Sequence, residues 1–309
     1  MLTNAPRVTA GPAGGADKPS MWPGLALALV GSVAFSGKAI IVKLAYRHGV
    51  DAITLIMYRM LFALPLFALL AWWAGRGKPA LERRDWIAVA GLGFSGYYLA
   101  SYLDFVGLAY ISAGLERLIL YLNPTIVLAL GVLLFKRRVS RRQLVALALS
   151  YSGVVVVFWH EAHVQGPDVL LGVALVFGSA CSYALYLIYS GEEVKRLGAL
   201  RLTGLAGSAA CVFCILQFVL LRPWTAALVA PEVIWLSVLN AVVCTVAPIL
   251  LVMMAIERIG AAASSQAGMI GPMSTILLGT LLLGEPFTPL MAVGTALGLS
   301  GIWLLTRTR

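Results

Sequence analysis

Five charged side chains sit where charge is expensive. Lys38, Arg59, Asp104, Glu116 and Arg117 all fall inside long apolar stretches of a 309-residue chain. An ionisable group at such a place is a functional candidate by default. Counting ~1.5 Å of rise per residue from the nearest stretch end puts all five ~6–10 Å below one face. Three cations face two anions, so the charges nearly cancel and one positive charge is left over. Two kinds of chemistry fit. The set can be an ion-pair network that staples helices together. It can equally be a binding site or gate, in which the surplus cation meets a carboxylate or phosphate. Lys43 lies nearer the surface, within snorkelling reach.

Uncharged polar residues extend the pattern. Tyr97, Ser101 and Asp104 follow i, i+4, i+7 spacing, which is one helix face. Ser179, Tyr183, Tyr186 and Ser190 do the same further on. Glu116 shares a face with Asn123, and Arg117 shares one with Tyr121 and Pro124. Each stripe alone is explained by interhelical hydrogen bonding. Together they outline a polar pathway whose tyrosines suit an organic solute better than a bare ion.

The elements that must position these residues are membrane-spanning helices. The chain is 61% hydrophobic and 12% charged, about half the charge content of a soluble domain. Ten stretches reach the ~20 apolar residues a span needs: 22–45, 52–74, 86–108, 111–135, 139–159, 168–190, 201–221, 231–255, 258–283 and 287–306. Tryptophans cluster near their ends, as in an interfacial belt. Seventeen loop or terminal Lys and Arg fall on one side and two on the other, so both termini are expected in the cytoplasm. Residues 1–21, rich in Gly, Pro and Ala, read as a disordered cytoplasmic tail rather than a cleaved signal.

Residues 111–135 return as 259–283, shifted by 148 positions: Pro124 falls on Pro272, Leu130–Gly131 on Leu278–Gly279, Ser152–Gly153 on Ser300–Gly301. The fold class expected is therefore all-α membrane protein, with ten transmembrane helices in two five-helix repeats, 22–159 and 168–306, joined by an outer linker at 160–167. An odd number of spans per repeat inverts the second against the first, an architecture of many secondary transporters. Pro124 and Pro272 lack the helical N–H donor and are expected to form paired hinges at mid-membrane. The repeats differ in charge, because Glu116 and Arg117 fall on Ser264 and Ser265.

Several other motifs carry no chemistry. Gly31–Ala39 has five residues between its glycines and ends in Ala, so it is no phosphate loop. Cys211 and Cys214 form a CxxC without a second ligand pair and read as buried thiols. His160, Glu161 and His163 read as a solvated turn rather than a metal site. No metal or other cofactor is expected. The basic run 136–142 reads as a cytoplasmic anchor, not a nucleic-acid patch. Gly294, Gly298 and Gly301, with Ala146, Ser150 and Gly153, form small-residue faces for close packing, and one use of them is a dimer contact. A membrane-embedded enzyme would need a convergent nucleophile–base or acid pair within the spans, and none shares a face.

The motifs NP…LLF at 123–135 and GP…LLLGEPFTP at 271–289, with FSGKAIIVKLAY and YRMLFALP near the start, resemble the EamA-type drug/metabolite transporter superfamily. The resemblance covers both halves. The first copy departs from it with FKRR at 135–138 in place of an acidic turn. It implies a ten-helix inner-membrane transporter or exporter of small metabolites, amino acids included. It also implies that helices 1–4 and 6–9 surround a central cavity, with 5 and 10 outside. The expected partners are the lipid bilayer and a small organic metabolite. Either a proton gradient drives it, with Glu116 or Asp104 as carrier, or it is a passive facilitator or channel. It functions as a monomer or a homodimer.

Overall fold

The computed structural model describes residues 22–135, 140–165, 167–268 and 270–306. The tail at 1–21 and positions 136–139 of the basic run lie outside the described residues.

Apolar composition makes nearly every described segment helical, because only a helix satisfies its own backbone polar groups in lipid. α1 is Trp22–Tyr46 and α2 is Ala52–Gly75. α3 runs without interruption through Arg83–Leu92, a π-helical turn at Gly93–Leu99, and Ala100–Leu108. α4 is in two pieces, Ala113–Leu120 and Asn123–Phe135. α5 is Arg141–Gln165, α6 is Asp168–Leu197 and α7 is Ala199–Leu221. α8 begins as Pro231–Ala241, passes a π-helical turn at Val242–Val246 and continues into Ala247–Gly268. The chain doubles back within that last segment: Ile259 lies beside Gly24 and Val252 beside Gly31, whereas Gly268 lies beside Ser32. α9 then resumes as Gly271–Leu278 and a π-helical turn at Gly279–Leu283, and α10 is Pro289–Thr306. Seven of the helices are long and apolar enough to cross a bilayer. With α3 and the shorter α9 and α10, the described residues make ten spans.

The repeat is visible in three dimensions. A Cβ on Gly24 would lie 2.5 Å from Ile259, and one on Gly172 would lie 2.7 Å from Ile111. These two contacts are the same contact, moved by 148 positions. The π-helical turns of α3 and α8 coincide under the same shift. So do the interruptions of α4 and α9, whose second pieces start at Asn123 and Gly271. π-helical turns are rare and frequent at functional sites, and no residue pattern announced these.

Two faces can be told apart by their loops. On one, Arg196 pairs with Asp85 and Arg201 donates to the Pro79 carbonyl at 2.9 Å. This is the basic face. On the far face, Arg222 pairs with Asp51 at 3.1 Å and Arg47 donates to the Leu283 carbonyl at 2.6 Å.

Three expectations need correction. α5 continues through Gln165, so 160–165 is helix rather than linker. Glu161 is consequently buried and not part of a solvated turn. The small-residue faces of α5 and α10 close on each other within one chain. A Cβ on Gly153 would meet the Gly294 carbonyl at 2.4 Å, and one on Gly301 the Ala146 carbonyl at 2.6 Å. They are therefore occupied and not free for a dimer contact.

Candidate functional site

The charged residues come together because α1, α3 and α4 each bring one polar position to the same depth. Lys38 Nζ lies 2.6 Å from Asp104 Oδ2 and 3.3 Å from Glu116 Oε1. Glu116 Oε2 is 4.0 Å from Arg117 Nε. Arg117 then leaves its own repeat: Nε donates to Thr275 Oγ1 of α9 at 3.0 Å, and Nη2 to the Phe35 carbonyl of α1 at 3.1 Å. The Phe35 ring lies beside both cations, 5.6 Å from Lys38 Nζ and 5.3 Å from the Arg117 guanidinium. All four charged residues are buried. Burial is tolerable here because opposite charges are in contact. Removing one partner from such a set costs about 3–5 kcal/mol.

Arg59 is different. It is 3% exposed, and its guanidinium stacks 4.6 Å from the Phe105 ring, one residue beyond Asp104. Its Nε and Nη2 have no hydrogen-bond partner among the described residues, and neither does Asp104 Oδ1. A buried guanidinium with free donors is the surplus cation that the charge balance requires.

The helix breaks lie directly beside this network. Pro124 has no N–H to offer the Leu120 carbonyl four residues earlier, and the Asn123 amide donates to it instead, at 2.7 Å. Pro272 leaves the Gly268 carbonyl equally free. The Tyr121 hydroxyl donates to it, while Ser36 donates to the Gly271 carbonyl at 2.9 Å. Tyr121 thus ties the break in α4 to the break in α9. Both prolines occupy the first turn of a helical piece, where proline is tolerated, so each break precedes its proline rather than bending around it.

The tyrosines form a second group, away from the charges. The hydroxyls of Tyr97 and Tyr186 are 3.1 Å apart, and their rings pack edge to face at 5.2 Å. Tyr183 stacks on Tyr186 at 5.5 Å. Tyr97 sits on the π-helical turn of α3. A Cβ on Gly96 would lie 2.4 Å from the Tyr186 ring, so only glycine admits that ring. Ser101 lies on α3 between the two groups. Among the other helix-face polar residues, Ser179 and Ser182 donate to the Ala100 and Ser95 carbonyls of α3, each at 2.7 Å, which is helix packing.

The charged network of the first repeat ends at the broken helix of the second, the tyrosine group joins the two halves, and comparison with known proteins agrees with that two-repeat architecture. The model of the EamA-like transporter family matches twice, over residues 22–159 and 170–307. The chain belongs to the EamA-like transporter family. It is 30% identical over 273 residues to a Bacillus subtilis (strain 168) protein described as "Uncharacterized transporter YcbK", covering 86% of this chain and 87% of that one. It is 23% identical over 283 residues to "Uncharacterized transporter YetK" of the same organism, covering 90% of this chain and 84% of the relative. A solved crystal structure superimposes with a TM-score of 0.62 at 16% identity, covering 93% of this chain and 99% of that one, a likeness of fold. As an EamA-like transporter the chain is a multi-pass membrane protein.

Sequence reasoning missed two site residues. Glu285, seen only as part of LLLGEP, accepts from the Ala113 backbone N–H at 3.0 Å and pairs with Lys43 at 3.5 Å. Glu161 accepts from the Ser112 N–H at 3.2 Å and from the Ser112 hydroxyl. Lys43 does not snorkel: it also donates to the Ile111 carbonyl at 2.6 Å. The available signal was that both are carboxylates near the ends of apolar stretches.

Proposed function

We propose that this protein is a secondary transporter of small organic metabolites, amino acids among them, working across the inner membrane by alternating access. In this reading the basic face is cytoplasmic, transport runs outward, and the substrate's carboxylate or phosphate meets Arg59. The observation that carries the reading is the buried network Lys38–Asp104–Glu116–Arg117, which spans three helices of one repeat and ends on Thr275 at the broken helix of the other. A staple would have no need to end at a helix break. A contact that changes partners as the break opens is what a gate between inverted repeats requires. Retaining intramembrane charges at ~2.5–3.5 kcal/mol each on insertion scales, in one repeat only, supports a role beyond packing.

The test uses the full chain in proteoliposomes with a panel of radiolabelled amino acids and small carboxylates. Panel members that raise the melting temperature of the purified protein are taken into flux assays. Saturable flux that is lost in Arg59→Gln and in Glu116→Gln, with both variants folded, is the result expected. Saturable flux that both variants leave intact contradicts the assignment.

A further inference from the structure

The far face carries a cavity of about 460 Å³, within the range of about 300–1,000 Å³ that small-molecule pockets occupy. Its walls come from the outward ends of α1, α3, α4, α5 and α10 and from the 283–288 connection, so both repeats line it. Neither Arg59 nor the Lys38–Asp104–Glu116–Arg117 network does. Tyr46 belongs to the wall, and its hydroxyl donates to the Phe105 carbonyl at 2.5 Å. The Phe105 ring in turn carries the Arg59 guanidinium, 4.6 Å from its centre. Tyr46 and Phe105 therefore connect the cavity wall to the buried cation.

The charges in the wall are sorted by place. Three of them meet at consecutive residues where α4 begins. Lys43 donates to the Ile111 carbonyl at 2.6 Å. Glu161 accepts from the Ser112 N–H at 3.2 Å and from the Ser112 hydroxyl. Glu285 accepts from the Ala113 N–H at 3.0 Å and lies 3.5 Å from Lys43. One cation against two carboxylates leaves this side of the cavity with a negative charge in excess. Glu285 makes both contacts through Oε1, and its Oε2 has no hydrogen bond among the described residues.

Arg47 is the remaining cation of the wall. Its Nη2 donates to the Leu283 carbonyl at 2.6 Å, which fixes the guanidinium at the exposed rim. No carboxylate pairs with it among the described residues, and its Nε and Nη1 make no hydrogen bond there. Lys43, Arg47, Glu161 and Glu285 thus cancel in sum while staying apart in space. A solute with only negative charge meets two carboxylates, and one with only positive charge meets Arg47 at the rim. Such like-charge encounters are what reject the wrong partner. A dipolar solute matches both ends.

We propose that this cavity is a second binding site, for α-amino acids in their zwitterionic form, with Arg47 taking the carboxylate as a forked pair and Glu285 Oε2 taking the ammonium. The groups recognised are common to all α-amino acids, and the side chain is left to apolar wall residues such as Val157 and Met291. The site deepens the transporter reading as an outer station for the solute that meets Arg59, and it rests on that reading for its purpose only.

The test puts a reporter into the cavity wall. Ala109 lines the cavity and is exposed, so Ala109→Cys adds a reactive thiol there, whereas the native cysteines lie within spans. Its modification by a membrane-impermeant, thiol-specific methanethiosulfonate is timed in the full chain in nanodiscs, with the unsubstituted chain as blank. The probes are L-alanine, L-leucine and L-phenylalanine. At least one is expected to slow modification several-fold and saturably. Propionate, which is alanine without its ammonium, and ethylamine, which is alanine without its carboxylate, are expected not to. Arg47→Gln should abolish the protection, and Arg59→Gln should keep it. No protection by any of the three amino acids, equal protection by propionate, or protection that survives Arg47→Gln overturns the site. Protection lost in Arg59→Gln assigns the effect to the buried cation and overturns it too. Should Arg47→Gln fail to fold, the comparison of alanine with propionate and ethylamine still decides. Saturable, Arg47-dependent protection in a chain without measurable flux supports the site and counts against the transporter reading alone.

Discussion

Lys38 and Tyr186 are equivalent positions in the two repeats, 148 residues apart, yet they hold the molecule by different means. Lys38 joins α1 to α3 and α4 through carboxylates. Tyr186 joins α6 to α3 through its hydroxyl and an edge-to-face ring contact, both with Tyr97. The backbone frame around them is shared, since the glycine contacts at Gly24 and Gly172 and the π-helical turns of α3 and α8 superimpose under the shift. The difference teaches that one position of the shared frame can carry a paired buried charge in the first repeat and a neutral ring in the second. Lys38 ties helices within its own repeat, whereas Tyr186 reaches across into the other, and the proposed role in transport is what would set the ions apart.

That contrast can be broken most severely at Lys38. Lys38→Ala leaves two buried carboxylates facing each other. It is expected to cost about 3–5 kcal/mol, read as a large fall in melting temperature and in membrane abundance. The triple change Lys38→Ala with Asp104→Asn and Glu116→Gln should recover most of that stability without recovering transport. If the triple variant transports, the ions are only a staple. Gly96→Ala comes next, because a methyl 2.4 Å from the Tyr186 ring must displace it. We expect a loss of about 1–3 kcal/mol by overpacking, measured by thermal unfolding.

Single hydroxyls should matter less. Tyr186→Phe removes one hydrogen bond, worth about 0.5–1.5 kcal/mol, and leaves the rings in place; a larger loss in unfolding experiments would mean the tyrosine group carries more than packing. Tyr121→Phe has a similar expected cost in stability but should slow transport several-fold, because it frees the Gly268 carbonyl at the α9 break. The smallest effect lies outside both groups. Asp51 caps α2, accepting from Ile53 and Thr54, and pairs with Arg222. Partial burial alone would raise its pKa, but the Thr54 hydroxyl and N–H, Arg222 and the Ile53 N–H outweigh that and hold it below the ordinary carboxylate value. Its contribution is therefore present above the usual aspartate pKa of about 3.9 and lost as pH falls through the lower folded value. Asp51→Asn should flatten the acid limb of the stability profile slightly.

Much of this was legible in the chain before any coordinates. Spans are legible because hydropathy adds along a helix, and the repeat because Pro124 and Pro272 sit in matching contexts. Depth counting brought Lys38, Asp104, Glu116 and Arg117 to one level, and at one level opposite charges find each other. Arg59 was placed at that depth too, but its stacking on Phe105 rather than on a carboxylate depends on rotation about the helix axis, which counting ignores. The π-helical turns shift that rotation by a fraction of a turn and have no residue signature. Glu161 was misread because the α5 pattern was ended at its last apolar residue, while the helix runs on for a further turn. Glu285 lies after a left-handed Gly284 that turns the chain back toward α4, a contact across 172 residues that no local pattern encodes.

The central claim is that the buried ions work in transport and do not merely hold helices. Glu116→Gln tests it most directly, since shape and volume are nearly kept while the charge is removed. The measurement is substrate flux per folded molecule in proteoliposomes, normalised to the melting-competent fraction, beside wild type. The account predicts flux per folded molecule at least tenfold lower, beyond any fall in abundance and melting temperature that the lost partner brings. Wild-type flux per folded molecule, with a lowered melting temperature and reduced abundance, would contradict it and leave the staple as the whole role of the network.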